Sequence, residues 1–161
     1  MIAPRRDWVL LAYRLPREPS TPRITLWRKL RKLGAVQVVD GLVALPASPR
    51  TREQFDWLAE EVIESGGEAW TWLAQSVSVL QDEALEAQFT EAAVEDYRSL
   101  LGELAALTAD AVTPRTFGRL RRELHRIESR DHVGPPEREQ ARRAIEALAT
   151  AVTDAVEEAT R

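Results

Sequence analysis

The run Trp8 to Leu15 (WVLLAYRL) is apolar on both alternations as far as Arg14. A strand with one solvated face would alternate polar and apolar residues, so this one reads as a central strand covered on both sides. A chain that contains it must supply a sheet and something to cover each face. A proline-rich turn, Pro16 to Pro22, closes the run. A helix follows over residues 20–34: Ser20 or Thr21 can cap it, Pro22 suits its first turn, and Gly34 stops it. Leu26, Trp27, Leu30 and Leu33 are read as its apolar stripe.

Two short β-rich runs, Ala35 to Val39 and Leu42 to Leu45, flank Asp40-Gly41, a strong tight-turn signal. Residues 49–65 place Phe55, Leu58, Val62 and Ile63 on one helical face and end at Gly66-Gly67. Ala69 to Ala74 (AWTWLA) reads as a last strand, with Trp70 and Trp72 on the same side. The order β-α-β-β-α-β is the split-βαβ, ferredoxin-like arrangement, in which two helices cover one face of a four-stranded antiparallel sheet. The second face must then be covered by the rest of the chain or by a second copy. From about Asp82 the pattern is helical: Leu85, Phe89, Ala93, Tyr97, Leu100, Leu104 and Leu107 step by threes and fours. Thr113-Pro114 opens another helix with Phe117, Leu120, Leu124 and Ile127 inward, and Gly134-Pro135-Pro136 separates it from a last one bearing Ile145, Leu148, Val152 and Val156. The expected fold is α+β: a ferredoxin-like basic domain over residues 1–77, then a three-helix extension over residues 78–161.

The absence of cysteine excludes a disulfide framework, a cysteine zinc site and a thiol nucleophile, and fits a reducing cytoplasm. No apolar stretch approaches the ~20 residues of a membrane span, and the first residues lack the flanks and length of a signal peptide. The net charge of -4 hides a partition. Residues 1–34 hold nine Arg or Lys against two acids, whereas residues 53–112 hold fourteen acids against Arg98 alone. A basic head points to a polyanionic partner.

On a helical wheel of about 100° per residue, Arg28, Lys29, Arg31 and Lys32 spread across the side opposite the leucines. Arg14 and Arg17 precede this helix, Arg23 lies in its first turn, and Arg50 and Arg52 begin the second helix. No acid interrupts positions 19–39, so the cluster can neutralise several phosphates of double-stranded DNA. The bland alternative is a solvated helix face. A second basic stretch, Arg115 to Arg126, is interleaved with Glu123 and is accounted for largely by local ion pairs. His125, Asp131 and His132 match no zinc spacing, and Glu60, Glu61 and Glu64 sit on a polar helix face where acids are ordinary. No serine or threonine stands in a nucleophile elbow and no glycine-rich loop cradles phosphate, so no catalytic residue, metal site or cofactor is assigned. Trp57 falls off its helix's apolar stripe among acids, and with Trp70 and Trp72 it is assigned to an interface, with a homodimer as one partner. The rival reading is a non-enzymatic protein-interaction module that uses Trp57 and the acids around Glu60.

Three segments carry a resemblance: Trp8 to Pro16 (WVLLAYRLP), Leu26 to Ala35 (LWRKLRKLGA) and Asp40 to Pro46 (DGLVALP). Trp57 to Glu61, Gly66 to Ala69, Tyr97, Arg119 to Ile127 and Arg130-Asp131 continue it. The chain resembles the N-terminal domain of the chromate-resistance regulator family, ChrB. The resemblance implies a transcriptional regulator of a chromate-efflux operon whose N-terminal part binds operator DNA through lysines and arginines. It ties the response to chromate to a further C-terminal domain, so chromate sensing is not assigned to these residues. The sequence departs from the family where His132-Val133 replaces an expected aromatic pair. A weaker resemblance is to CRISPR-adaptation Cas2-like domains, which dimerise and bind duplex nucleic acid. Those end the first strand with an acid, and Tyr13-Arg14 here argues against metal-dependent nuclease action.

Overall fold

A computed structural model describes residues 4–161. The fold is α+β, with one four-stranded antiparallel sheet and five α-helices among the described residues. In chain order these are β1 (Asp7–Arg14), α1 (Thr21–Leu33), β2 (Val36–Val39), β3 (Leu42–Pro46), α2 (Pro49–Glu64), β4 (Glu68–Gln75), α3 (Val79–Ala105), α4 (Pro114–Arg130) and α5 (Pro136–Thr160), with a single 3-10 turn at Ala109–Ala111. Two compact units divide inside α3, Met1–Phe89 and Thr90–Arg161. None of the described helices is long and apolar enough to cross a membrane.

In the first unit the strand order is β2-β3-β1-β4, every neighbouring pair antiparallel. The register places Val9 and Leu11 of β1 beside Leu45 and Val43 of β3. These four are almost fully buried, together with Phe55, Leu58 and Val62 of α2, so this face carries the helix layer. The opposite face is set by Trp8, Leu10 and Ala12, which pair with Ala74, Trp72 and Trp70. This face is closed in part: Ala44, opposite Leu10, is fully buried, and the Trp8 ring stacks on Phe89 of α3 with centroids 5.5 Å apart, a contact worth about 1 kcal/mol beyond its burial. Trp70 and Trp72 stay 68% and 55% exposed.

The helix ends follow local chemistry. Ser48 and Thr51 form a reciprocal capping box at α2, and the Thr51 hydroxyl also donates to the carbonyl of Pro46 at 2.6 Å. Thr113 caps α4 by accepting from the Thr116 amide. Helix α3 begins at Val79, earlier than the apolar pattern from Asp82 indicates, because Ser78 and Asp82 open it with polar residues. In α2 and α5 one residue each that the apolar pattern reads as inward is exposed instead. Ile63 in α2 lies one position past Val62, and the buried stripe runs through Thr51, Phe55, Leu58, Ala59 and Val62. Val156 in α5 extends past Val152, the last residue of that helix in the core.

The second unit has its own core, in which Tyr97 and Leu100 of α3 meet Leu120, Leu124 and Ile127 of α4 and Ile145 and Leu148 of α5. Asp131 holds the α4–α5 connection: it accepts from the Tyr97 hydroxyl at 2.8 Å and from the amides of Val133 and Gly134 at 2.9 and 2.8 Å. Burial, followed by this carboxylate, pushes the Tyr97 hydroxyl well above the usual tyrosine range.

Candidate nucleic-acid interface

Helix α1 is fixed at both ends and along one side. Pro22 sits in its first turn, and Ser20 stands at the N-cap without a side-chain bond to the helix. At the far end Gly34 is left-handed at φ 72°, and the amides of Gly34 and Ala35 donate to the carbonyls of Arg31 and Leu30. Leu26 and Leu30, one helical turn apart, form the buried side, with Leu33 half-buried beyond them.

Trp27 does not belong to that stripe. One step round the helix from Leu26, it is 56% exposed, and the Arg31 guanidinium lies 5.0 Å from its ring centroid. The outer side of α1 is thus a row of cations around an aromatic ring: Arg28, Arg31 and Lys32 are exposed, and Ile24 and Trp27 lie exposed among them. The i,i+4 spacing of Trp27 and Arg31 is the sequence signal for this pair. Lys29 differs from its neighbours: it is half-buried, and its Nζ donates to Glu61 Oε2 of α2 at 2.6 Å. These partners are thirty-two positions apart, so no local pattern announces the bond. An ion pair this open to solvent is worth less than about 1 kcal/mol, so phosphate can compete for the lysine.

Arg23 is exposed in the first turn of α1 and within electrostatic reach of Tyr13. Burial raises the Tyr13 hydroxyl above its ordinary range, while Arg23 draws it back. Arg17 is exposed in the proline-rich turn, and Arg50 and Arg52 are exposed in the first turn of α2. Lys29 reaches Glu61, whereas Lys32 and Leu33 share a groove with Gln54 and Trp57, so α1 and α2 run antiparallel. The end of α1 that carries Arg31 and Lys32 therefore points toward the end of α2 that carries Arg50 and Arg52. Their shared groove encloses about 250 Å³, with Trp57 58% exposed on its wall.

Arg14 stands apart. In the β1–β4 register it shares the face of Trp8, Leu10 and Ala12, away from α1, and its Nη2 bonds Glu68 Oε2 at 2.6 Å. In the second basic stretch Arg119 meets Glu103 of α3 and Arg126 meets Glu123, two of its five arginines. Asp131, considered above with the histidines, is engaged by Tyr97 and two backbone amides. Among the described residues no group of three or more His, Cys, Asp or Glu is arranged to hold a metal ion.

The profile of the family described as "Protein ChrB, N-terminal" matches residues 23–113, more than half of the chain. The chain belongs to the ChrB N-terminal family. The matched stretch contains the cations of α1, those that open α2, and Trp57, Trp70 and Trp72. Protein ChrB of Cupriavidus metallidurans is 30% identical over 104 residues, which are 65% of this chain and 32% of that protein. The chain thus spans about a third of the length of this curated ChrB relative. No solved structure matches it.

Proposed function

We propose that this chain is the DNA-contacting part of a chromate-resistance-type transcriptional regulator, and that α1 lays its basic face along the phosphates of duplex DNA. One observation carries the reading: Arg28, Arg31 and Lys32 are exposed on one side of a helix in a stretch, residues 19–39, that contains no acid. Arg23, Arg17, Arg50 and Arg52 extend the footprint, and Lys29 joins when phosphate displaces Glu61. Membership of the ChrB family supports the regulatory role. The reading is non-enzymatic, places the protein in the cytoplasm, and needs no cofactor. The order β2-β3-β1-β4, with α1 and α2 on one face, supports placing the first unit in the ferredoxin-like class.

Phosphate contacts make affinity fall with salt, by about 0.9 in log-log slope for each neutralised phosphate. Fluorescence anisotropy on the duplex that flanks the gene, titrated across salt with and without chromate, gives that slope. Arg28→Glu with Lys32→Glu is expected to lower affinity by roughly a hundredfold or more and to shed about two units of slope, with the thermal melt unchanged because both residues are exposed. Unchanged affinity in the double variant would remove α1 from the interface. A salt-insensitive complex with a protein partner, lost on Trp57→Ala, would favour the interaction-module reading instead.

A further inference from the structure

We propose that two copies of this chain associate by antiparallel pairing of their β4 strands, joining two four-stranded sheets into one with the tryptophans of both copies packed across the joint. Strand β4 is a sheet edge: β1 pairs along one side of it, and no strand among the described residues pairs along the other. Edge strands expose a row of unpaired N–H and C=O groups, and monomeric proteins blunt them by shortness, bulges, proline or charge. The opposite edge, β2, is blunted. It has four residues, and its pairing with β3 shifts register between Gln37 and Val39. Strand β4 has none of these devices. It runs eight residues, EAWTWLAQ, without proline or lysine, and its single charge, Glu68, is answered within the chain by Arg14.

The sequence of β4 identifies a second copy as the occupant. Reading outward from Thr71 in both directions meets Trp70 and Trp72, then Ala69 and Leu73, then Glu68 and Ala74. A strand so nearly palindromic pairs with itself antiparallel, Trp70 opposite the partner's Trp72 and Trp72 opposite the partner's Trp70, with no like charges facing. The area is adequate. Taking about 250 Å² for a whole tryptophan side chain, the 68% and 55% exposures leave roughly 300 Å² in each copy. Complete burial of all four rings would remove about 600 Å², half of the roughly 1,200 Å² of a small specific interface; in-plane pairing covers the ring sides that meet the partner, and the strand edges add to them. The two-fold axis of an antiparallel pair stands perpendicular to the sheet, so both copies carry α1 on the same face of the joined sheet.

Sedimentation equilibrium of the whole chain without DNA tests this independently of the DNA reading. A concentration-dependent dimer is expected. Trp70→Arg with Trp72→Arg should raise its dissociation constant by roughly thirtyfold or more, as for loss of an interface hot spot, while the far-UV melt stays in place because both side chains are exposed. The chain has no cysteine, so Thr71→Cys gives a clean second readout. Facing strands put paired Cα atoms about 4.5–5.5 Å apart, inside disulfide reach, and oxidation should yield a covalent dimer. A monomer at every concentration, a dimer indifferent to the double variant, or single cysteines at positions 69–75 none of which link would each overturn the proposal.

Discussion

Asp82 shows how much one carboxylate organises in the first unit. It is buried and accepts three hydrogen bonds, from the Trp8 indole at 2.7 Å, the Arg6 amide at 3.0 Å and the Ser76 hydroxyl at 3.1 Å. The Arg6 amide bond is the main reason its carboxyl is held below the usual range, against the opposing effect of burial. A lowered folded-state pKa stabilises above the unfolded value of about 3.9 and is lost as pH falls through the folded value. Asp82→Asn should therefore cost about 2 kcal/mol in denaturant unfolding at neutral pH, and its deficit should shrink below about pH 4. A deficit that is constant with pH would show that the ionised form is not what matters. On α1, Trp27→Ala separates aromatic from ionic contact: losing the ring beneath Arg31, worth about 0.5–1 kcal/mol at an exposed site, should weaken DNA binding about two- to fivefold without changing the salt slope. Trp27 is also where sequence reasoning misplaces a residue, since hydrophobicity alone cannot tell a tryptophan that fills a core from one that lies under an arginine in solvent.

The elements were legible because their signals are local. Asp40-Gly41 makes the β2–β3 turn, Gly34 ends α1, and the leucine spacings of α1 and α4 bury Leu26, Leu30, Leu120 and Leu124. What sequence could not supply depends on partners far along the chain: the Lys29–Glu61 bond, the separation of Arg14 from α1, and the stacking of Phe89 on Trp8. Gly67 marks one such meeting. A Cβ there would press on the Arg14 carbonyl and lie 2.9 Å from Val62 and 3.0 Å from Leu15. Gly67→Ala should cost about 2 kcal/mol through overpacking, seen as a lower denaturation midpoint with near-native circular dichroism. In the second unit Leu120 is fully buried, and Leu120→Ala should cost about 3 kcal/mol by the same measurement.

Across the whole molecule the sign of charge changes along the chain, from a basic head to an acidic middle within a net charge of -4. A polyanion is attracted by the basic head and repelled by the acidic middle, which biases its orientation before contact. Glu60→Gln with Glu64→Gln should therefore raise DNA affinity about two- to threefold at low salt, from about 0.3 kcal/mol per unit charge across ~15 Å of water. The gain should vanish at high salt; persistence there would indicate a direct contact instead. The inequality of the two sheet edges bears on stoichiometry. A sheet open on both sides can recruit copies without limit and grow into a fibre, whereas one bulged, four-residue margin leaves a single place to join. Assembly through β4 consumes that place in both partners, so growth terminates at a pair and the irregular β2 margin acts as the chain's own stop against filament formation.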